Sequence, residues 1–74
     1  MDEKKIAIDN YWEVLKKAKE IEPDLRHHVK TTMESTTIWI HKGNDVAIKV
    51  EGEDEVQAYQ QAQSRLESRM RYRH

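Results

Sequence analysis

Thr37-Ile38-Trp39-Ile40-His41 runs through Lys42-Gly43-Asn44-Asp45 into Val46-Ala47-Ile48-Lys49-Val50, and the phase relation across that turn decides the fold. Side chains alternate between the two faces of a strand, so Ile38 and Ile40 share one side, and Val46, Ile48 and Val50 share one. Directly opposed residues of an antiparallel pair lie on the same face. Setting Ile40 against Val46 or Ile48 therefore requires an odd number of residues in the loop around 42–45. A three-residue loop, with Gly43 or Asn44 in the left-handed region and a bulge, meets the requirement. A two-residue Gly43-Asn44 turn swaps the faces and is rejected. The same alternation groups Trp39 with Thr37 and His41 on the polar side. A large aromatic there is either a partner contact or locally covered.

Working outward, Val29, Thr31 and Met33 share one face of an earlier strand. A two-residue turn at Glu34-Ser35 pairs Met33 with Thr36, Thr31 with Ile38 and Val29 with Ile40. No Asn-Gly signal marks this turn, and a four-residue loop is the alternative. Upstream, Ile8, Trp12, Leu15 and Ala18 or Lys19 recur at helical spacing, with Ala7, Tyr11, Val14, Ala18 and Ile21 as an adjoining row. Asp2 is the expected N-cap. The alternative start, Asn10 with Glu13 three residues on, would make Lys5-Ile6-Ala7-Ile8 an extra edge strand. Pro23 ends the helix. Downstream, Gly52 to Glu55 starts a last helix on which Val56, Tyr59, Leu66 and Met70 form the stripe.

The element order is α-β-β-β-α in a single domain, residues 1–74. The fold class is α+β: a two-layer sandwich in which a three-stranded antiparallel meander carries both helices on one face. The other face is left open, as antiparallel sheets allow. Seventy-four residues at 36% hydrophobic and 36% charged make a thin core, and a second copy or a partner would add buried area. The chain has no cysteine, hence no disulfide framework, and no apolar run approaches a membrane span. Its N-terminus does not read as a signal peptide, and the expected location is cytoplasmic. A net charge of −1 gives no global attraction to nucleic acid, so charge-driven binding must be local.

The open face is the main candidate site. It displays His28, Lys30, Trp39, His41 and Lys49, with Lys30 expected opposite Trp39 and either Ala47 or Lys49 on the other flank. An aromatic ringed by cations suits a protein hot spot or base stacking; the bland reading is cover by lysine stems. His28 and His41 are expected face to face, but without cysteine the plain reading is two solvated histidines, and no metal or cofactor is expected. Arg65 and Arg69, with Arg71, Arg73 and His74, form a second basic group. It fits phosphate or an acidic partner, or else simply complements the helix dipole. Glu51, Glu53, Asp54 and Glu55 read as a helix start.

The order α-β-β-β-α and the length resemble those of double-stranded RNA-binding domains. That family begins its last helix with lysines that grip phosphates, whereas Gly52-Glu53-Asp54-Glu55 has the opposite sign. No residue is therefore carried over. Serines without a patterned base, and the lack of phosphate-loop or paired-carboxylate signatures, argue against an enzyme. The expectation is a small binding or regulatory protein (an inhibitor, adaptor or accessory factor) that acts by protein contact or as a homodimer through the face around Trp39. The alternative is a nucleic-acid module that stacks on Trp39.

Overall fold

Asp2 opens the first helix. Its Oδ1 accepts from the Lys4 and Lys5 amides at 3.1 and 3.3 Å, pairing amides that a helix start otherwise leaves to solvent. In the computed structural model, which describes residues 2–72, α1 spans Glu3–Ile21. Residues 5–8 are thus helical, and the start at Asn10 does not occur. The Glu22 N–H closes on the Ala18 carbonyl at 2.8 Å, just before Pro23. β1 (Leu25–Thr31), β2 (Thr36–Lys42) and β3 (Asp45–Gly52) form an antiparallel sheet in that order, and α2 (Glu55–Arg71) follows. Asp54 caps α2 by accepting from the Gln57 amide at 2.9 Å. Arg73 and His74 of the expected basic C-terminus lie outside the described residues.

Both helices cover one face of the sheet. Leu25, Ile38, Ile40, Ile48 and Val50 from the strands join Ala7, Tyr11, Leu15 and Ala18 of α1 and Ala58, Tyr59, Ala62 and Leu66 of α2 in one buried cluster. Alanines on both helices let the two backbones approach, so a few large residues fill the layer. Tyr11 is the central one, fully buried, with its ring edge-on to Tyr59 at 5.1 Å. The row that α1 buries is Ala7-Tyr11-Leu15-Ala18. Trp12, expected in the apolar face with Ile8 and Leu15, is turned aside and remains 44% exposed.

The second hairpin corrects the expected three-residue loop. The turn is the two-residue Gly43-Asn44, with φ +61° at Gly43 and no positive φ at Asn44, as in a type II′ turn. The odd residue sits in the strand instead. Ile40 pairs with Ile48 but His41 pairs with Val46, leaving Ala47 as a bulge. The bulge returns Ile48 and Val50 to the helix side and sends Val46 to the other, where it is 53% exposed.

In the first hairpin the four-residue loop is the one formed. Thr32 Oγ1 accepts from the Glu34 and Ser35 amides at 3.3 and 3.1 Å, and the Thr32 N–H donates to the Ser35 carbonyl at 2.8 Å. A threonine side chain thus supplies the turn chemistry that Glu34-Ser35 lacks. Thr31 pairs with Thr36, Val29 with Ile38 and His27 with Ile40, a shift of two residues that keeps every face but changes every neighbour. Met33, expected on the core face, lies fully exposed in the loop.

β3 turns into α2 at Gly52, where a Cβ would lie 2.5 Å from the Ala58 nitrogen and 3.0 Å from its Cα. Only glycine lets the helix backbone sit this close to the strand. Gly52→Ala is therefore expected to cost about 1–3 kcal/mol, read as a lower urea midpoint. An unchanged midpoint would mean that α2 can slide away from β3 without loss.

Candidate functional site

On the side of the sheet away from the helices, alternation brings together residues from all three strands. His28, Trp39 and Lys49 form one row across the sheet. Arg26, His41 and Val46 form the next, and Lys30, Thr37 and Glu51 the third. Trp39, partly buried, is at the centre. The His28 ring lies tilted against it at 5.4 Å between centroids, and Lys49 Nζ stands 6.0 Å from the ring, within cation–π range. Glu51 is held by Thr37, whose Oγ1 donates to Oε2 at 3.3 Å. The rows carry Arg26, Lys30 and Lys49 against the single carboxylate of Glu51, a cationic face on a chain of net charge −1.

The shifted register corrects two expected pairings. Trp39 faces His28, not Lys30, which pairs instead with Thr37. His28 and His41 are not opposite one another; His41 faces Arg26. Lys49 is the neighbour on the other flank, and Ala47 is the bulge. Arg26, which the sequence suggests only as a small basic group with Lys30, joins this face as one more alternate position of β1. Val46, expected on the core side with Ile48 and Val50, is here because its face depends on the bulge.

Arg65 and Arg69 belong elsewhere. They line a shallow groove of about 510 Å³ between α2 and β3, together with Ala47, Ile48, Ser68 and Tyr72. Arg69 holds the fold together: its Nε and Nη2 donate to the two carboxylate oxygens of Glu22 at 2.8 and 3.0 Å. Lys42 Nζ reaches the same carboxylate at 3.0 Å and Asp24 at 3.3 Å. Glu22 is only 3% exposed, so these partners offset the cost of burying its carboxylate. The hydrogen bonds to Glu22 raise both Arg69 and Lys42 above their ordinary values. That stabilisation is complete at neutral pH and is lost only as the pH climbs through the folded-state values of the two cations. Sequence patterning could not reveal Glu22, which stands 47 residues from Arg69.

A second polar contact lies where α1 meets β1. The Tyr11 hydroxyl and His27 Nδ1 are 2.6 Å apart, and the His27 ring also touches Trp12 at 4.8 Å between centroids. Burial, reinforced by Tyr59, pushes the Tyr11 phenol well up, so it stays protonated, and the direction of the hydrogen bond follows the His27 tautomer. Burial first, then Lys19 and His28, hold His27 below the ordinary 6.5. Among the described residues no group of three or more His, Cys, Asp or Glu is placed to share a metal ion, and no helix is long and apolar enough to cross a membrane. No protein-family model, curated protein or solved structure gives a match to this chain.

Two measurements check this geometry. Arg69→Ala is expected to cost roughly 3 kcal/mol, the low end for breaking a buried pair because the guanidinium reaches solvent, with Arg69→Lys recovering part of it. A cost under about 0.5 kcal/mol would show Glu22 to be satisfied without it. For His27, the unfolded chain takes up a proton near 6.5 while the folded chain resists until lower pH. Stability is therefore expected to be full above that value and to decline as pH falls through the folded-state pKa. Denaturation midpoints of wild type and His27→Gln, compared from about pH 8 to about pH 5, should differ in slope over that window. Parallel curves would remove His27 as the cause.

Proposed function

We propose that the protein is a non-enzymatic contact protein, of the inhibitor, adaptor or accessory-factor kind, whose open sheet face docks an acidic surface of a protein partner. The observation that carries this reading is the row His28–Trp39–Lys49, bordered by Arg26, Lys30 and His41. A tryptophan anchor inside a polar, charged rim is the composition of an interface hot spot. The fixed cations select acidic partners and raise the rate of encounter. Base stacking is the poorer fit, since a base landing on Trp39 would have to displace His28 or Lys49 from beside the ring. The thin core fits the same reading, because docking adds burial that the isolated chain lacks.

The test uses the random copolymer of glutamate and tyrosine as a model acidic partner, with oligothymidylate in parallel. Expected is binding of the copolymer that weakens with salt and drops about tenfold in Trp39→Ala, whose fold persists because Trp39 lies outside the helix-side cluster. Tighter binding of oligothymidylate, with a steep salt slope, would replace this reading by nucleic-acid binding. A dimer by sedimentation that Trp39→Ala dissolves would make the partner a second copy.

A further inference from the structure

β1 is an edge strand, and its outer side can be read from the hydrogen-bond parity. At one end the Gly43 N–H donates to the Asp24 carbonyl at 3.4 Å; at the other the Thr32 N–H donates to the Ser35 carbonyl at 2.8 Å. In an antiparallel ladder, bonded and non-bonded pairs alternate. Arg26, His28 and Lys30 therefore exchange bonds with β2, and the backbone groups of His27, Val29 and Thr31 point away from the sheet. The Leu25 amide, also outward, is closed by the Glu22 carbonyl at 3.2 Å. The two edges of the sheet differ: β3 carries the bulge at Ala47, a device that discourages pairing, while β1 runs in unbroken register over its seven residues.

An apolar strip lies beside this edge. Trp12, 44% exposed, sits against His27, and Ile8, one helical turn earlier, is partly buried. Helical spacing puts Lys5, Lys16 and Lys19 on the same flank of α1, with Asp9 beside Lys5 and Ile8 as a carboxylate among them, and Lys19 is near enough to bear on the His27 charge. On the open-face side the β1 positions are Arg26, His28 and Lys30. None of these lysines or Arg26 makes an ion pair among the described residues. This charge pattern decides the occupant. Were β1 to pair antiparallel with its own copy in the centred register, Arg26 would face Lys30 and His28 would face its own copy, a destabilising arrangement. An acidic strand meets the opposite sign on both sides.

We infer that the free edge of β1 is a strand-acceptor site for an extended acidic segment of a partner protein, which adds as a fourth strand. Its main-chain groups bond to His27, Val29 and Thr31, its apolar side chains lie on Trp12 and Ile8, and its carboxylates meet Arg26, His28 and Lys30. This is strand addition with alternate-residue specificity. It rests on the acidic-partner reading above and supplies a docking mode for it.

The probe is a blocked eight-residue peptide alternating glutamate and valine, compared with its lysine–valine counterpart and with the same acidic peptide N-methylated at alternate amides on each edge in turn. Expected is binding of the acidic peptide alone, protection of the His27, Val29 and Thr31 amides from hydrogen exchange, and loss of binding when the edge facing β1 is methylated. Trp12→Ala is expected to weaken binding about tenfold, and Trp39→Ala much less. Absence of peptide binding, binding insensitive to methylation on either edge, or binding without protection of those amides would each overturn the strand-acceptor site. Copolymer binding that still depends on Trp39 would then leave the open-face reading standing. Loss of that dependence as well would remove both.

Discussion

Ile38 and Ile40 are sealed from solvent on one side of β2, and two helices of this length can cover only that side. Because side chains alternate with a period of two, this one-sided burial controls the phase of everything attached to β2. β3 had to present Ile48 and Val50 on the covered side. With a tight two-residue turn the only way to do so was to expel one residue, Ala47, from the ladder. The first hairpin met the same demand with an even loop closed by the Thr32 side chain. The placement of Trp39 on the uncovered face is a consequence of that constraint, since it lies between two residues that must point inward.

Alanines occupy much of the helix side of the core, with Ala7 and Ala18 on α1 and Ala58 and Ala62 on α2, so few large apolar side chains fix how the helices sit. Two buried polar contacts add definition. Glu22, just past α1, is gripped by Arg69 from near the end of α2 and by Lys42 from the end of β2, which ties three elements at one corner. The Tyr11–His27 hydrogen bond fixes α1 over β1 at the middle of the layer. An unpaired partner at either place would be costly, so each disfavours alternative packings more than it adds net stability.

The charges are sorted by where they sit. The carboxylates near the fold's corners are engaged: Glu22 and Asp24 with Lys42, Asp54 at the start of α2, and Glu55 with Lys4. Among the described residues, the cations of β1 and of the α1 flank beside it make no ion pair. A chain close to electrical neutrality therefore gathers more cations than carboxylates from the α1 flank over the β1 edge and onto the open sheet face, with Asp9 and Glu51 among them. The two tryptophans, Trp12 and Trp39, border β1 from opposite sides, each beside one of the adjacent histidines His27 and His28.

Composition and periodicity carried the class of the fold, the order of its elements, the caps at Asp2 and near Gly52, and the placement of Trp39 on the uncovered face. Those features depend on residues close together in the chain, and alternation or helical spacing reports them directly. Even the need for an odd residue between Ile40 and Ile48 was legible, although whether it would lie in the loop or the strand was not. Register, and with it the neighbours of Trp39, came from the three-dimensional structure, because a shift of two residues leaves every hydrophobic face intact and so leaves no trace in the pattern. The roles of Glu22 and Arg69 and the turning aside of Trp12 were likewise tertiary decisions. Each depends on where distant segments meet, and a local pattern is blind to that distance.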